Sequence, residues 1–144
     1  MTSVQFYHNA SNPLALACEL LGNAHRGGRR AIVLCPDAEQ ARQLDRQLWT
    51  SPPGDFIPHV LNGSPLAAET PVVIGIAGEA DWPHTDLLLN FAPEFPTACE
   101  RFRMVVEIVG PTEAERVPAR ERWKRYKQEK FPLKAFDAER RIAL

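Results

Sequence analysis

The segment Ala31–Cys35 (AIVLC) is a continuous apolar run of strand length, and it constrains this chain more than any other feature. A half-exposed strand alternates apolar and polar residues, whereas an unbroken run is typical of a strand covered on both faces. Two more apolar runs follow, Val72–Ile76 and Leu87–Phe91, and then Met104–Val109 (MVVEIV). Val4–His8 (VQFYH), short, aromatic and β-branched, reads as a first strand.

Helical patterns lie between these runs. Ser11 or Asn12 can cap a helix with Pro13 at its first position; LALACELLGNAH follows, and Gly27-Gly28 stops it. Pro36-Asp37 opens a second helix to about Trp49, with Ala41, Leu44 and Leu48 at three- and four-residue spacing. Between Thr50 and Pro96 the chain carries eight of its 13 prolines. A short helix is expected around Thr97–Phe102, and a long basic helix from about Thr112 to Lys130. Strands alternating with helices predict an α/β fold: one domain over residues 1–144, with a largely parallel (mixed) twisted sheet and helices on both faces.

The chain is too rich in apolar residues for wholesale disorder, at 44%, and no apolar run approaches the ~20 residues of a membrane span. The first ten residues lack the basic region and long apolar stretch of a signal peptide. Cys18, Cys35 and Cys99 are odd in number and far apart, which fits neither a disulfide framework nor a zinc knuckle. A soluble cytoplasmic protein is expected. The net charge of −1 hides an asymmetry: residues 110–144 balance to +4 and the remainder to −5. A basic tail on an acidic body suggests a local anionic partner.

Chemistry is mostly missing. A doubly wound fold binds nucleotides through glycines at the carboxyl ends of its strands. Here the first turn is Asn9-Ala10-Ser11-Asn12, no phosphate-loop motif occurs, and Gly75 and Gly78 make no dinucleotide fingerprint. The fold is therefore expected to be Rossmann-like without the nucleotide loop. Asp81-Trp82-Pro83-His84-Thr85-Asp86 reads as a polar loop rather than a metal cluster, and Cys35 as a small core hydrophobe. His25 and His59 show no partner to orient them as catalytic bases. No catalytic residue, cofactor or metal is expected.

Two features stand out. In the basic helix, at 100° per residue, Arg116, Arg120, Lys124 and Lys127 share one narrow face. Ala119 and Tyr126 lie on an adjoining core-facing stripe, with Trp123 at the border and Pro118 predicting a kink or a first turn. A bare charge run is usually a solvated face. Cations aligned beside an indole also suit an acidic peptide with a hydrophobic end, or single-stranded nucleic acid. The second feature is Trp49, at the edge of its helix's apolar stripe, followed by Phe56 after a Pro-Pro-Gly loop. Such aromatics either anchor the loop to the core or present themselves to a partner.

At these residues the chain resembles the chi subunit of the bacterial DNA polymerase III holoenzyme. The resemblance is carried by FYH, AIVLCPD, A-x-x-LD-x-x-LW, F-I-PH-x-L and ARERWKxYK, in order through essentially the whole chain. It implies a non-enzymatic adaptor on a nucleotide-binding type of fold. The adaptor pairs one-to-one with the psi subunit, and through it with the clamp loader. It also binds the acidic carboxy-terminal tail of single-stranded DNA-binding protein, so that DNA is met only indirectly. A helicase of the XPD type competes with psi in that family. Residue by residue, the tail-binding positions fall on Val109, Arg120, Trp123 and Lys124, with Tyr126, Lys127, Phe131 and Leu133 as neighbours. The psi-facing positions fall on Trp49 and Phe56, with Pro58 and His59 adjoining. The family often has Tyr where Trp123 stands. A direct single-strand binder using the same helix, a helicase-associated repair adaptor, and an enzyme on a degenerate nucleotide fold are the rival readings.

Overall fold

The computed structural model describes residues 2–50, 56–79, 81–96, 98–139 and a short strand at 142–143. The strands are β1 (Ser3–His8), β2 (Ala31–Cys35), β3 (His59–Leu61), β4 (Val72–Ile76), β5 (Leu87–Asn90), β6 (Met104–Ile108), β7 (Leu133–Asp137) and β8 (Ile142–Ala143). They form one open sheet in the order β3-β4-β2-β5-β6-β1-β7-β8, with every neighbouring pair parallel except β7 with β8. The expected largely parallel α/β sheet is what the chain forms.

Three helices complete the fold: α1 (Pro13–Arg26), α2 (Ala38–Trp49) and α3 (Glu113–Gln128). Each begins where a side chain satisfies a free amide of its first turn. Asn12 Oδ1 accepts from Ala15 N at 3.1 Å and Asp37 Oδ1 from Gln40 N at 2.9 Å. Thr112 Oγ1 accepts from Glu115 N at 3.3 Å and donates to the Glu115 carboxylate at 2.8 Å. Of the two cap candidates before α1, Asn12 serves.

The helices lie on both faces of the sheet. Alternate residues of each strand point to opposite sides, so β2 sends Ala31, Val33 and Cys35 one way and Ile32 the other. Leu21 of α1 and Leu44 and Leu48 of α2 pack with Val33, Ile74 and Leu89 on the first face. Ala119 and Tyr126 of α3 pack with Phe6, Ile32, Leu88 and Val105 on the second.

Several boundaries differ from the sequence reading. Phe91 and Val109 lie just beyond their strands, and the helix expected at Thr97–Phe102 is a 3-10 turn at Cys99–Arg101, with Thr97 outside the described residues. The strands β3, β7 and β8 were not anticipated. Three residues of β3 carry too little pattern to read, and Leu133–Asp137 (LKAFD) neither alternates cleanly nor forms an apolar run. Pro118 lies inside α3, which continues on both sides of it.

Candidate functional site

The topology places a crevice where β1 and β6 run side by side. From β1 the chain leaves to α1 on one face, and from β6 to α3 on the other, so the carboxyl ends of these two strands mark a switch point. Val109 sits there. Its amide donates to the Tyr7 carbonyl at 2.9 Å, and its carbonyl accepts from Ala10 N at 3.0 Å. Between them Asn9 turns the chain in the left-handed region, φ 59°, which asparagine tolerates better than most residues.

On the α1 side of Val109, a cavity of about 470 Å³ opens among the starts of all three helices. Doubly wound folds bind nucleotides at such strand ends, yet the chemistry of this cavity opposes phosphate. First-turn amides already bond to Asn12, Asp37 and Thr112, and Glu115 adds a carboxylate to the lining. Glu115 also lies over Gly110, where a Cβ would meet the carboxylate.

On the α3 side of Val109 is a second cavity of about 470 Å³. Arg116, Arg120 and Lys124, one helical turn apart, form its cationic side. Val109, Ala119, Trp123 and Ala135 supply its apolar surface, and His8 and Asn9 close it at the end of β1. Four positions picked out by resemblance, Val109, Arg120, Trp123 and Lys124, thus meet in one concavity. The Trp123 ring is held edge-on against Phe6, centroids 5.1 Å apart and planes at 77°. Glu113, in the first turn of α3, lies 3.6 Å from Arg116 and 3.8 Å from Arg120, an exposed carboxylate beside both guanidiniums. Lys127 is exposed but lies outside the cavity lining.

Tyr126 faces the core, as its stripe predicted, and does not line the cavity among whose neighbours the resemblance had placed it. It is fully buried, and its hydroxyl donates to Glu107 Oε2 at 2.8 Å. Phe131 meets the Tyr126 ring edge-on at 5.7 Å, and Leu133 lies on β7; neither lines the cavity. The reason is a network the sequence reading did not find. Glu107, buried at the centre of the sheet, accepts from Arg122 Nε at 3.0 Å and from Asn90 Nδ2 at 3.0 Å as well as from Tyr126. Arg122 Nη1 also donates to the Pro93 carbonyl at 2.9 Å. Burial pushes the Glu107 carboxyl upward, and Arg122 with the Tyr126 and Asn90 bonds pulls it back. The signal available in the sequence was a glutamate inside an apolar strand, paired with the one α3 arginine spaced with Ala119 and Tyr126.

A separate aromatic edge lies at the end of α2. Trp49 is 62% exposed and Phe56 49%, with ring centroids 5.1 Å apart. His59 is buried against both rings, at 5.1 and 5.9 Å. Its Nδ1 donates to the Ile57 carbonyl at 2.7 Å, and its Nε2 approaches Asp45 Oδ1 at 3.1 Å without a hydrogen-bonding alignment. His59 therefore does have an orienting partner, contrary to the sequence reading. Pro58, half-buried, accepts from Val72 N at 3.3 Å through its carbonyl and so ties the edge to β4. The Pro-Pro-Gly loop before Phe56 falls outside the described residues.

Elsewhere the polar loop reading holds: His84 is buried with Nε2 2.6 Å from the Thr70 carbonyl, and Asp86 Oδ2 accepts from Arg30 N at 3.0 Å. Burial pushes the Cys18 thiol up to about 11 and the Cys35 and Cys99 thiols to about 12, so all three are protonated at neutral pH. Among the described residues no group of His, Cys, Asp and Glu could hold a metal, and no helix is long and apolar enough to cross a membrane.

Comparison with known proteins adds a family. The profile described as "DNA polymerase III chi subunit, HolC" matches residues 1–134. A protein of Pseudomonas aeruginosa named "DNA polymerase III subunit chi" is 36% identical over 137 residues, covering 92% of this chain and 94% of that protein. Proteins of the same name from Escherichia coli and Haemophilus influenzae are 32% and 30% identical, each over 118 residues, covering 82% of this chain and 80% and 82% of their own lengths.

Proposed function

The chain belongs to the DNA polymerase III chi subunit family, a replication accessory role within the polymerase holoenzyme, and on that premise we propose that it is a non-catalytic cytoplasmic adaptor with two docking surfaces. One is the cavity beside α3, which takes the acidic carboxy-terminal tail of single-stranded DNA-binding protein. The other is the aromatic edge, which takes psi and through it the clamp loader. The protein would then hold the replicase to coated template, touching DNA only through its partners.

The observation that carries the tail reading is the convergence of Arg116, Arg120 and Lys124 on the rim of a cavity with Val109, Ala119 and Trp123 inside. A peptide carboxylate and acidic side chains suit the cations, by charge-assisted hydrogen bonds that guanidinium forms best. A terminal aromatic side chain suits the indole and valine surface. Trp49 and Phe56 support the second surface: two large, adjacent, exposed rings, one at the end of α2 and one shortly before β3, are the usual anchors of a protein interface.

The test is fluorescence anisotropy with a labelled peptide matching the host's tail, beside the same peptide lacking its last residue, on wild type and Arg120→Ala. Saturable binding that is lost with the truncated peptide and with Arg120→Ala supports the reading. Binding indifferent to the last residue, or absent, overturns it; tight salt-dependent binding of a plain oligonucleotide would favour the direct single-strand reading instead.

A further inference from the structure

His8 ends β1 on the face turned to α3, in step with Val4 and Phe6, and it lines the same cavity as Arg116, Arg120 and Lys124. Its imidazole stacks on Phe6 with centroids 5.8 Å apart and lies 6.4 Å from the Trp123 ring. The charged groups that act on it come from both flanking elements: Asp137, its register partner on β7, and Arg116 on α3, with Arg120 and Lys124 across the cavity. Burial holds the His8 pKa below the ordinary histidine range; Asp137 pulls it up and Arg116 pushes it further down. At neutral pH the His8 ring of the free protein is therefore mainly neutral.

We propose that His8 is a fourth cationic contact of this cavity, taking up a proton when an acidic carboxyl-terminal peptide enters, so that the peptide binds more tightly as pH falls. The inference rests on the tail reading above and names the group that makes the site pH-dependent. A carboxylate brought into a half-enclosed cavity favours the imidazolium over the neutral ring. By linkage, whatever raises the proton affinity of His8 in the complex raises peptide affinity by the same factor once the proton is present. The sign follows. The bound-state pKa lies above the free-state one, so the gain is complete below the free-state value and is lost as pH rises through the bound-state value. Arginine and lysine stay charged throughout this window, and peptide carboxylates stay ionised to well below it.

The experiment is anisotropy of a labelled peptide of acidic residues ending in phenylalanine with a free carboxylate, on the full chain and on His8→Leu. A one-unit rise on binding corresponds to at most ~tenfold, so wild-type affinity is expected to rise roughly three- to tenfold from about pH 7.5 to about pH 5.5. In His8→Leu that rise is expected to shrink by more than half. In parallel, the His8 Cε1–H NMR signal of wild type is titrated with and without peptide, and its midpoint is expected to move upward when peptide is present. His8→Gln serves as a second, polar variant, with circular dichroism reporting the fold of both. An unchanged pH slope in the variants, or an NMR midpoint indifferent to peptide, overturns the role of His8 while leaving the tail site intact. Absence of peptide binding to wild type at either pH overturns the tail reading and this inference together.

Discussion

Arg122 Nε donates to Glu107 Oε1 at 3.0 Å inside the core, and this pair fixes which side of α3 faces the solvent. With Arg122 turned inward beside Ala119 and Tyr126, the residues Arg120, Trp123 and Lys124 are turned toward the cavity. The network's first effect is orientation. Two charges removed from water gain little net stability from each other, yet either one left alone is costly.

Removing one partner of that pair is therefore expected to destabilise the fold. Glu107→Ala leaves the Arg122 charge buried without its carboxylate and should cost roughly 3–5 kcal/mol in urea unfolding. Tyr126→Phe deletes one hydrogen bond to a charged group and should cost about 1.5–3 kcal/mol. A loss below about 1 kcal/mol for Glu107→Ala would mean that water reaches the site.

Trp123 is expected to act through its ring surface. Trp123→Phe should keep much of the peptide affinity, because a smaller ring can still meet Phe6 and the ligand. Trp123→Ala should weaken binding by ~30-fold or more, as an aromatic anchor does. Equal affinities for the two variants in the anisotropy assay would count against stacking.

The Glu113 carboxylate competes with any incoming anion for Arg116 and Arg120. It is exposed, and such pairs are worth about 0.2–1 kcal/mol, so Glu113→Gln should tighten binding of the acidic peptide by a small factor, roughly 1.4- to fivefold. The gain should fade as salt is raised. Unchanged affinity at low salt would show that Glu113 already points away in the complex.

At the other end of the molecule, Trp49→Ala and Phe56→Ala remove rings that are largely outside the core. Thermal unfolding should shift little, while co-purification with psi should be lost, each ring carrying about 2 kcal/mol or more of the pairing. His59→Ala should behave differently and lower the melting temperature, since the imidazole is buried beneath both rings. Retained psi pairing in the double aromatic variant would assign the edge to another partner.

What the amino-acid order determined by itself was the class of fold and the surface chemistry. Strand-length apolar runs such as Ala31–Cys35 demand cover on both faces, and amphipathic segments beginning at Asn12, Asp37 and Thr112 supply it; these are local patterns with local causes. The 3.6-residue period likewise put Arg116, Arg120 and Lys124 on one face before any tertiary contact was known. Tertiary structure alone decided the rest. Parallel strand order is made of contacts distant in sequence, so nothing local places β1 between β6 and β7, or brings His8 and Val109 to the same cavity as Trp123. The same holds for charge: Arg122 and Arg120 look alike in the sequence, and only the buried carboxylate of Glu107, on a strand 15 residues away, draws one inward and leaves the other at the cavity.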